Sequence, residues 1–328
     1  MSKMVKTPCI DEEIRSLMET SDKLDIIETL KRFTWNDILT CKDIELHEIS
    51  KNFDSLEKAK PIQENNGMEC GNKIIYNYQF RNLLNCIRQS SKYKIVKKLE
   101  EEYNNPELYE KLIQETYIRN RRKNLTFRPV DIYECHRRNR SPIVVFKAIT
   151  AKYIYNKFKA KSVLDFSAGW GGRMLGAMAL GIEYTGIDTN IKLKEGYDKM
   201  IHDLTFENDD PRYSMIYKSC LDVDYKKLKD IIKYDLILTS PPYENMEIYE
   251  GNEFYKSKES FYKDFLIPSM YKSFRWLKIG GHMCINISPS MYKNLMKYNI
   301  RPCDLQIDYK QKKGNTTVKG KPKLDYIY

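Results

Sequence analysis

The run KSVLDFSAGWGGRMLGAMALGIEYTGID limits the fold more than any other part of this chain. Residues 162–164, Ser-Val-Leu, are typical of a short buried strand, Asp165 ends it, and a loop with three glycines follows. Residues 173–180 have helical spacing, Gly181 stops them, and a second apolar run leads to Asp188. This order predicts a strand, a glycine turn, a helix and a second parallel strand. We expect an α/β sheet that binds a nucleotide-like ligand at the carboxyl ends of its strands.

The glycine loop narrows the choice of ligand. A dinucleotide site needs G-x-G-x-x-G, and the segment GWGGRM that starts at Gly169 lacks the third glycine. The phosphate-binding pattern G-x-x-x-x-G-K-[ST] is absent from the chain. Instead, Asp165 precedes glycines at four and six residues, and the next strand ends in Asp188.

The segment ILTSPPYENM, residues 237–246, ends a later strand in an unusual way. An apolar run, 236–238, is followed by Thr239, Ser240, two prolines and Tyr243. Proline has no N–H group and a fixed φ, so this elbow is rigid and rich in hydrogen-bond acceptors. The run YSMIYKSCLDV supplies the strand before it, and the carboxyl ends of parallel strands meet at one edge. The elbow and the glycine loop are therefore expected side by side.

These residues resemble the class I S-adenosylmethionine-dependent DNA methyltransferases that modify exocyclic amino groups. SPPY matches their [D/N/S]-P-P-[Y/F/W] motif, and the resemblance covers roughly residues 141–328. It implies a Rossmann-like fold with a mostly parallel seven-stranded sheet, plus an N-terminal helical accessory domain. Ser240 favours cytosine N4 over adenine N6 as the target, since adenine enzymes more often carry Asp or Asn. The family's D-P-F-x-G-x-G loop is altered here, with Phe166 and Ser167 after the aspartate.

The resemblance also implies a role for each site residue. The predicted catalytic residues are Ser240, Pro241, Pro242 and Tyr243. The predicted S-adenosylmethionine-binding residues are Asp165, Phe166, Ser167, Ala168, Gly169, Gly171, Gly172, Asp188, Thr189, Leu221 and Asp222. No metal is expected, because the eight cysteines and four histidines are dispersed without metal-ligand spacing.

The front third of the chain has a different character. Apolar positions recur at three and four residues in 23–33 and again from Tyr76 to about Arg121, with a break at Asn105-Pro106. We predict a mainly helical accessory or recognition region over 1–140 and a catalytic domain over 141–328. In the catalytic domain we expect a helix over 141–158, opened by Ser141-Pro142, and a helix, a Gly-Gly turn and a strand over 261–287. Target recognition would then belong to the helical region or to the insertion at 244–260.

The net charge of +11 indicates a polyanionic partner. Eight basic and two acidic residues lie between 119 and 140, and a second basic cluster lies at 310–323. We predict phosphate contacts, with DNA favoured over RNA. The candidate nucleic-acid-binding residues are Arg121, Arg122, Lys123, Arg137, Arg138, Lys312 and Lys313.

The chain has neither a signal core nor an apolar run of membrane-spanning length, so we expect an intracellular protein, in the cytoplasm, nucleus or a viral factory. A homodimer or a partner subunit is compatible with the sequence.

Two other functions stay open. An RNA methyltransferase of the same fold could modify guanine N2 or adenine N6, although its elbow more often begins with Asp or Asn. A catalytically idle subunit could bind nucleic acid for a partner enzyme. The presence of Asp165, Gly169, Gly171, Asp188 and Ser240 together argues against the idle subunit.

Overall fold

The computed structural model describes residues 23–65, 68–88, 94–123, 127–139, 143–207, 210–227, 233–243, 247–248, 255, 257–309 and 325–327. The chain divides into two compact units. The helical unit comprises Met1–Asp43 and Tyr93–Val144, and the sheet unit comprises Ile44–Lys92 and Val145–Tyr328. This division differs from the boundary expected at residue 140, because 44–92 belong with the sheet.

The described helices and strands are numbered in chain order. The α-helices are α1 Lys23–Lys31, α2 Trp35–Leu39, α3 Leu46–Lys58, α4 Asn72–Leu84, α5 Ile95–Asn104, α6 Pro106–Lys123, α7 Pro129–Asn139, α8 Ala148–Lys157, α9 Gly172–Met178, α10 Lys194–Thr205, α11 Lys258–Ser260, α12 Ile267–Phe274 and α13 Pro289–Leu295. The strands are β1 Ile87–Arg88, β2 Ser162–Asp165, β3 Glu183–Asp188, β4 Tyr213–Tyr217, β5 Tyr234–Thr239, β6 Glu247–Ile248, β7 Leu277–Ile287, β8 Ile307–Tyr309 and β9 Asp325–Ile327. A π-helical turn, Phe261–Leu266, joins α11 to α12. None of the described helices is long and apolar enough to cross a membrane.

The central sheet has the strand order β4-β3-β2-β5-β7-β9-β8. The first five strands run parallel, and β9 pairs antiparallel with both β7 and β8. The predicted Rossmann-like parallel sheet is confirmed for these five strands. The chain runs outward from β2 through β3 to β4 and then returns to place β5 on the other side of β2. This reversal makes the β2–β5 junction a topological switch point, where open α/β sheets bind ligands.

Local sequence explains most element boundaries. All four residues of β2 are buried, as its apolar run predicts. The predicted break before Pro106 is confirmed, and the Asn105 side chain caps α6 by accepting the N–H groups of Glu107 and Leu108 at 3.1 Å.

Two predicted boundaries are wrong. The helix expected from residue 141 begins only at Ala148, and 143–147 form no helix. The stiff β-branched side chains of Ile143 and Val145 are buried outside any helix. The Gly-Gly pair expected to form a turn lies inside β7, where Gly280 has φ +79° and the pairing with β5 shifts register. A glycine with positive φ suits such a β-bulge.

Polar contacts attach residues 44–92 to the sheet unit. Lys152 of α8 donates to the carbonyl groups of Leu56, Glu57 and Ala59 at 2.8, 2.6 and 2.9 Å. These carbonyls end α3 and have no partner within that helix, so the ammonium group caps it. Tyr78 of α4 donates to Asp203 of α10 at 2.7 Å. The segment thus packs on elements that lie more than 90 residues away in the chain.

Candidate active site at the carboxyl edge of the sheet

A buried ion pair holds the glycine loop. Asp165 Oδ2 accepts hydrogen bonds from Arg173 Nε at 2.5 Å and from Tyr184 OH at 2.7 Å, and Oδ1 accepts the N–H of Ser167 at 3.2 Å. The Arg173 guanidinium group also donates to the Ser167 carbonyl and lies 5.0 Å from the ring centroid of Phe146. Asp165 and Arg173 are both buried, and they connect the two ends of the loop. This arrangement gives Asp165 a structural role, while its contact with a ligand stays a prediction.

The loop glycines have two distinct functions. Gly169 has φ +59°, and a Cβ atom placed there would meet no atom closer than 3.9 Å, so the backbone is open on this side. Gly172 is different, because a Cβ atom would lie 1.9 Å from the Phe146 carbonyl oxygen. Gly169 therefore leaves room for a ligand against the backbone, and Gly172 lets α9 pack closely.

Asp188 ends β3 beside this loop and is half-buried. Its Oδ2 accepts the N–H of Gly169 at 2.8 Å, and Oδ1 accepts the N–H of Asn190 at 2.9 Å. Burial raises the pKa of this carboxyl group, although the two N–H groups act in the opposite direction. A carboxylate offers about four lone-pair positions, so two further donors can bind.

The remaining predicted cofactor residues differ in accessibility. Phe166 is buried in the core with Leu164, Ile187 and Ile237, which leaves only its backbone for a ligand. Ala168 is also buried, Thr189 and Leu221 are half-buried, and Asp222 is exposed. The Leu221 carbonyl accepts a hydrogen bond from the Lys272 ammonium group.

The SPPY elbow follows β5 and is hydrogen-bonded to β7. Thr239 pairs with Ile285, so the residues that follow them, Ser240 and Asn286, are neighbours. Asn286 Nδ2 lies 2.9 Å from Ser240 Oγ and 3.3 Å from Tyr243 OH, and donates to both. Ser240 and Tyr243 are half-buried, whereas Pro241 is buried. Sequence reasoning missed Asn286, although a lone amide in the apolar run CINI was a possible signal.

Three strands carry an unsatisfied polar group at this edge. Among the described residues, the buried side-chain atoms Tyr217 OH, Thr239 Oγ1 and Asn286 Oδ1 have no hydrogen-bond partner. Tyr217 and Thr239 are the last residues of β4 and β5, and Asn286 is the penultimate residue of β7. Tyr217 also lies directly opposite Asp188 in the sheet. Buried groups without partners are rare in proteins, so these three atoms are available for hydrogen bonds to a ligand or to water.

The candidate phosphate-binding residues that are described lie in the helical unit. Arg121 contacts the Tyr117 side chain, with Nε 3.4 Å from the hydroxyl oxygen, and Arg122 and Arg138 are exposed. Arg137 donates twice to Glu134, at 2.7 and 3.1 Å. The backbone of Lys123 ends α6, and Lys312 and Lys313 lie outside the described residues.

Neither family models nor curated proteins match this chain. Among solved structures, TrmN from Thermus thermophilus is 14% identical, with 55% of this chain and 47% of that chain covered and a TM-score of 0.38. This chain thus spans about half of that protein. An rRNA methylase from Streptococcus thermophilus is 12% identical, with 56% and 96% covered and a TM-score of 0.35. The glycopeptide N-methyltransferase MtfA, complexed with S-adenosylmethionine, is 14% identical, with 46% and 54% covered and a TM-score of 0.32. Similarities at this level do not assign the chain to a family.

Proposed function

We propose that this chain transfers a methyl group from S-adenosylmethionine to an exocyclic amino group of a nucleic-acid base, with cytosine N4 in DNA as the favoured target. One observation carries the proposal. The acceptor-rich Ser240–Tyr243 elbow follows β5 at the switch point, next to the glycine loop after β2. A methyl donor and an amine acceptor therefore have adjacent sites at one edge of the sheet.

The residues of the loop fit the proposed cofactor. When bound, S-adenosylmethionine supplies a methyl group on a positively charged sulfur. The open backbone at Gly169 suits its methionine portion, and Asp188 has two lone-pair positions left for the ribose hydroxyl groups. Thr189, Leu221 and Asp222 are the candidates for contact with the adenine. The Tyr217 hydroxyl, which lies opposite Asp188 and has no partner among the described residues, is a further polar group for this ligand.

The elbow suits a weakly nucleophilic amine. The lone pair of a base amine is delocalised into the ring, and hydrogen bonds from its N–H groups to Ser240 Oγ and an elbow carbonyl would direct that lone pair outward. Pro241 and Pro242 offer no N–H donors that would compete. The elbow holds the amine without forming a covalent bond to it, so alignment supplies most of the rate. The new N–C bond would replace the methyl–sulfur bond of the donor, which would leave as S-adenosylhomocysteine, and the surplus amine proton would pass to water.

The base must leave its stack to reach the elbow. Tyr243 then provides a ring for stacking, which is worth about 1–3 kcal/mol per base.

Phosphates would bind the basic residues of the helical unit, among them Arg121, Arg122 and Arg138. When binding depends on such contacts, the logarithm of the binding constant falls linearly with the logarithm of the salt concentration. Charge reversal at Arg122 should flatten that slope.

Methyl transfer from labelled S-adenosylmethionine to duplex DNA, single-stranded DNA and RNA, measured in parallel, tests the proposal. We expect N4-methylcytosine in DNA after digestion to nucleosides. N6-methyladenine would keep the mechanism and correct the base, and label in RNA alone would establish the RNA enzyme instead. A methyl group on a ring carbon would refute the mechanism, and no transfer to any of the three would favour the idle subunit.

A further inference from the structure

Asn286 occupies a position that links the elbow to the middle of the sheet. It lies near the end of β7, with β5 on one side and β9 on the other, where it pairs with Ile327. Its side chain is 3% exposed, so it is fixed by its surroundings. The single amide nitrogen donates to Ser240 Oγ at 2.9 Å and to Tyr243 OH at 3.3 Å.

This pair of bonds sets the direction of hydrogen bonding at the elbow. A serine hydroxyl has two lone pairs and one hydrogen. Asn286 uses one lone pair of Ser240, and no other described residue bonds to this hydroxyl, so one lone pair and the hydroxyl hydrogen are left for a substrate. The same two bonds hold the Tyr243 ring relative to Ser240, so the stacking surface and the amine acceptor keep a constant separation.

We propose that Asn286 is a positioning residue for amino-group methylation, acting through Ser240 and Tyr243. This inference rests on the proposed function. Asn286 Oδ1 is buried and has no hydrogen-bond partner in the described part of the chain. An unsatisfied buried acceptor destabilises a fold, so stability alone does not account for an amide at this position. Fixed orientation of two substrate-contacting groups does account for it.

Leucine has a similar size and removes both the amide donors and the unsatisfied oxygen. Asn286→Leu should therefore leave the melting temperature and the affinity for S-adenosylmethionine nearly unchanged while lowering turnover about tenfold or more. A purely structural role predicts the reverse, with lost stability and retained turnover in the folded fraction. Asn72→Leu is the matched control, because it makes the same change at an amide of α4 whose buried Oδ1 also has no partner among the described residues.

A double-mutant cycle shows whether Asn286 acts through Ser240. The Ser240→Ala, Asn286→Leu variant should lose much less turnover than the product of the two single losses. Combining Asn72→Leu with Asn286→Leu should give simple multiplication. Multiplication in the Ser240 cycle would overturn the proposal.

Asn286→Asp adds a pH signature. The protonated carboxyl group can donate to a hydroxyl, as the amide does, whereas the ionised group can only accept. Turnover of this variant should fall as rising pH ionises the carboxyl group, with no such step in the unmodified protein. An identical pH profile for both proteins would count against Asn286 as the donor.

Nuclear magnetic resonance separates this inference from the proposed function. The side-chain amide signals of Asn286 should shift in Ser240→Ala and Tyr243→Phe but not in Asn72→Leu. If no nucleic acid is methylated and these shifts still appear, the proposed reaction fails while Asn286 keeps its place as the residue that orients the elbow. If the signals do not respond to either elbow substitution, Asn286 does not hold the two hydroxyl groups and the inference fails.

Discussion

The two edges of the parallel sheet each carry an aspartate, and the two carboxyl groups have opposite surroundings. At the amino edge, Asp235 of β5 accepts the N–H groups of Lys161 and Ser162 at 2.9 Å and the ammonium group of Lys278 at 2.7 Å. Burial opposes ionisation there, but these donors prevail and hold the pKa of Asp235 below its usual range. At the carboxyl edge, Asp188 accepts two N–H groups from the described part of the chain, and burial raises its pKa.

The same contrast extends to neutral groups. Among the described strand residues, the buried side-chain atoms without partners belong to Tyr217, Thr239 and Asn286, all at or near carboxyl ends. The amino edge thus completes its own hydrogen bonding and ties β2, β5 and β7 together. At the carboxyl edge, polar side-chain atoms of the described residues are left without partners, and such convergent polar groups are typical of functional sites.

The largest expected effect at the carboxyl edge is the loss of stability when the buried ion pair between Asp165 and Arg173 is removed. Arg173→Met leaves Asp165 charged and buried, and such changes cost about 3–5 kcal/mol. Lys194→Met is the control, since its ion pair with Asp198 is more than half exposed on both sides and such pairs contribute about 0–1 kcal/mol. Urea unfolding measures both. Equal losses would show that the loop does not depend on its buried pair.

A smaller effect is expected at the elbow, because the proposed role of Tyr243 is to stack on the substrate base and not to stabilise the fold. Tyr243→Ala removes a stacking surface worth about 1–3 kcal/mol, or roughly 5- to 150-fold in kcat/KM. Affinity for S-adenosylmethionine should stay nearly constant. Tyr271→Ala, at an exposed tyrosine of α12, should change neither quantity. Unchanged methyl transfer in Tyr243→Ala would remove the aromatic ring from the mechanism.

The smallest effect concerns stability against pH, with opposite signs at the two edges. The Asp235 pKa is lowered by folding, so its contribution is present above the unfolded pKa and lost as pH falls through the folded pKa. The Asp188 pKa is raised by folding, so its contribution is present below the unfolded pKa and lost as pH rises through the folded pKa. The stability deficit of Asp235→Asn relative to the unmodified protein should shrink on acidification from about pH 7 to about pH 3. Over the same range, the stability of Asp188→Ala relative to the unmodified protein should fall. Equal slopes would contradict the comparison of the two edges.

The parts of the site that are local in sequence could be predicted, and those that depend on strand register could not. The loop from Asp165 to Gly172 and the SPPY elbow lie within short segments, so turn chemistry and strand endings indicated their positions. Asn286 lies 46 residues after Ser240, and only the pairing of β5 with β7 makes them neighbours. The ion pair of Asp165 with Arg173 spans eight residues, but the sequence does not show which partners a buried carboxylate contacts.

The boundary between the units was missed for a similar reason. An amphipathic pattern shows that a helix buries one face, and it does not show what covers that face. Helices α3 and α4 resemble the other early helices in sequence, yet Lys152 and Asp203 of the sheet unit bind them. The sequence shows that these two partners are charged, but only the fold shows that they contact α3 and α4.

Calorimetric titration with S-adenosylmethionine tests the central claim, that the unsatisfied carboxyl edge is a cofactor site, most directly. We predict saturable binding to the unmodified protein, at least about tenfold weaker binding to Asp188→Ala, which corresponds to about 1.4 kcal/mol, and unchanged affinity in Asp198→Ala on exposed α10 surface. Equal affinity in Asp188→Ala and the unmodified protein, or no binding to the unmodified protein, would contradict it.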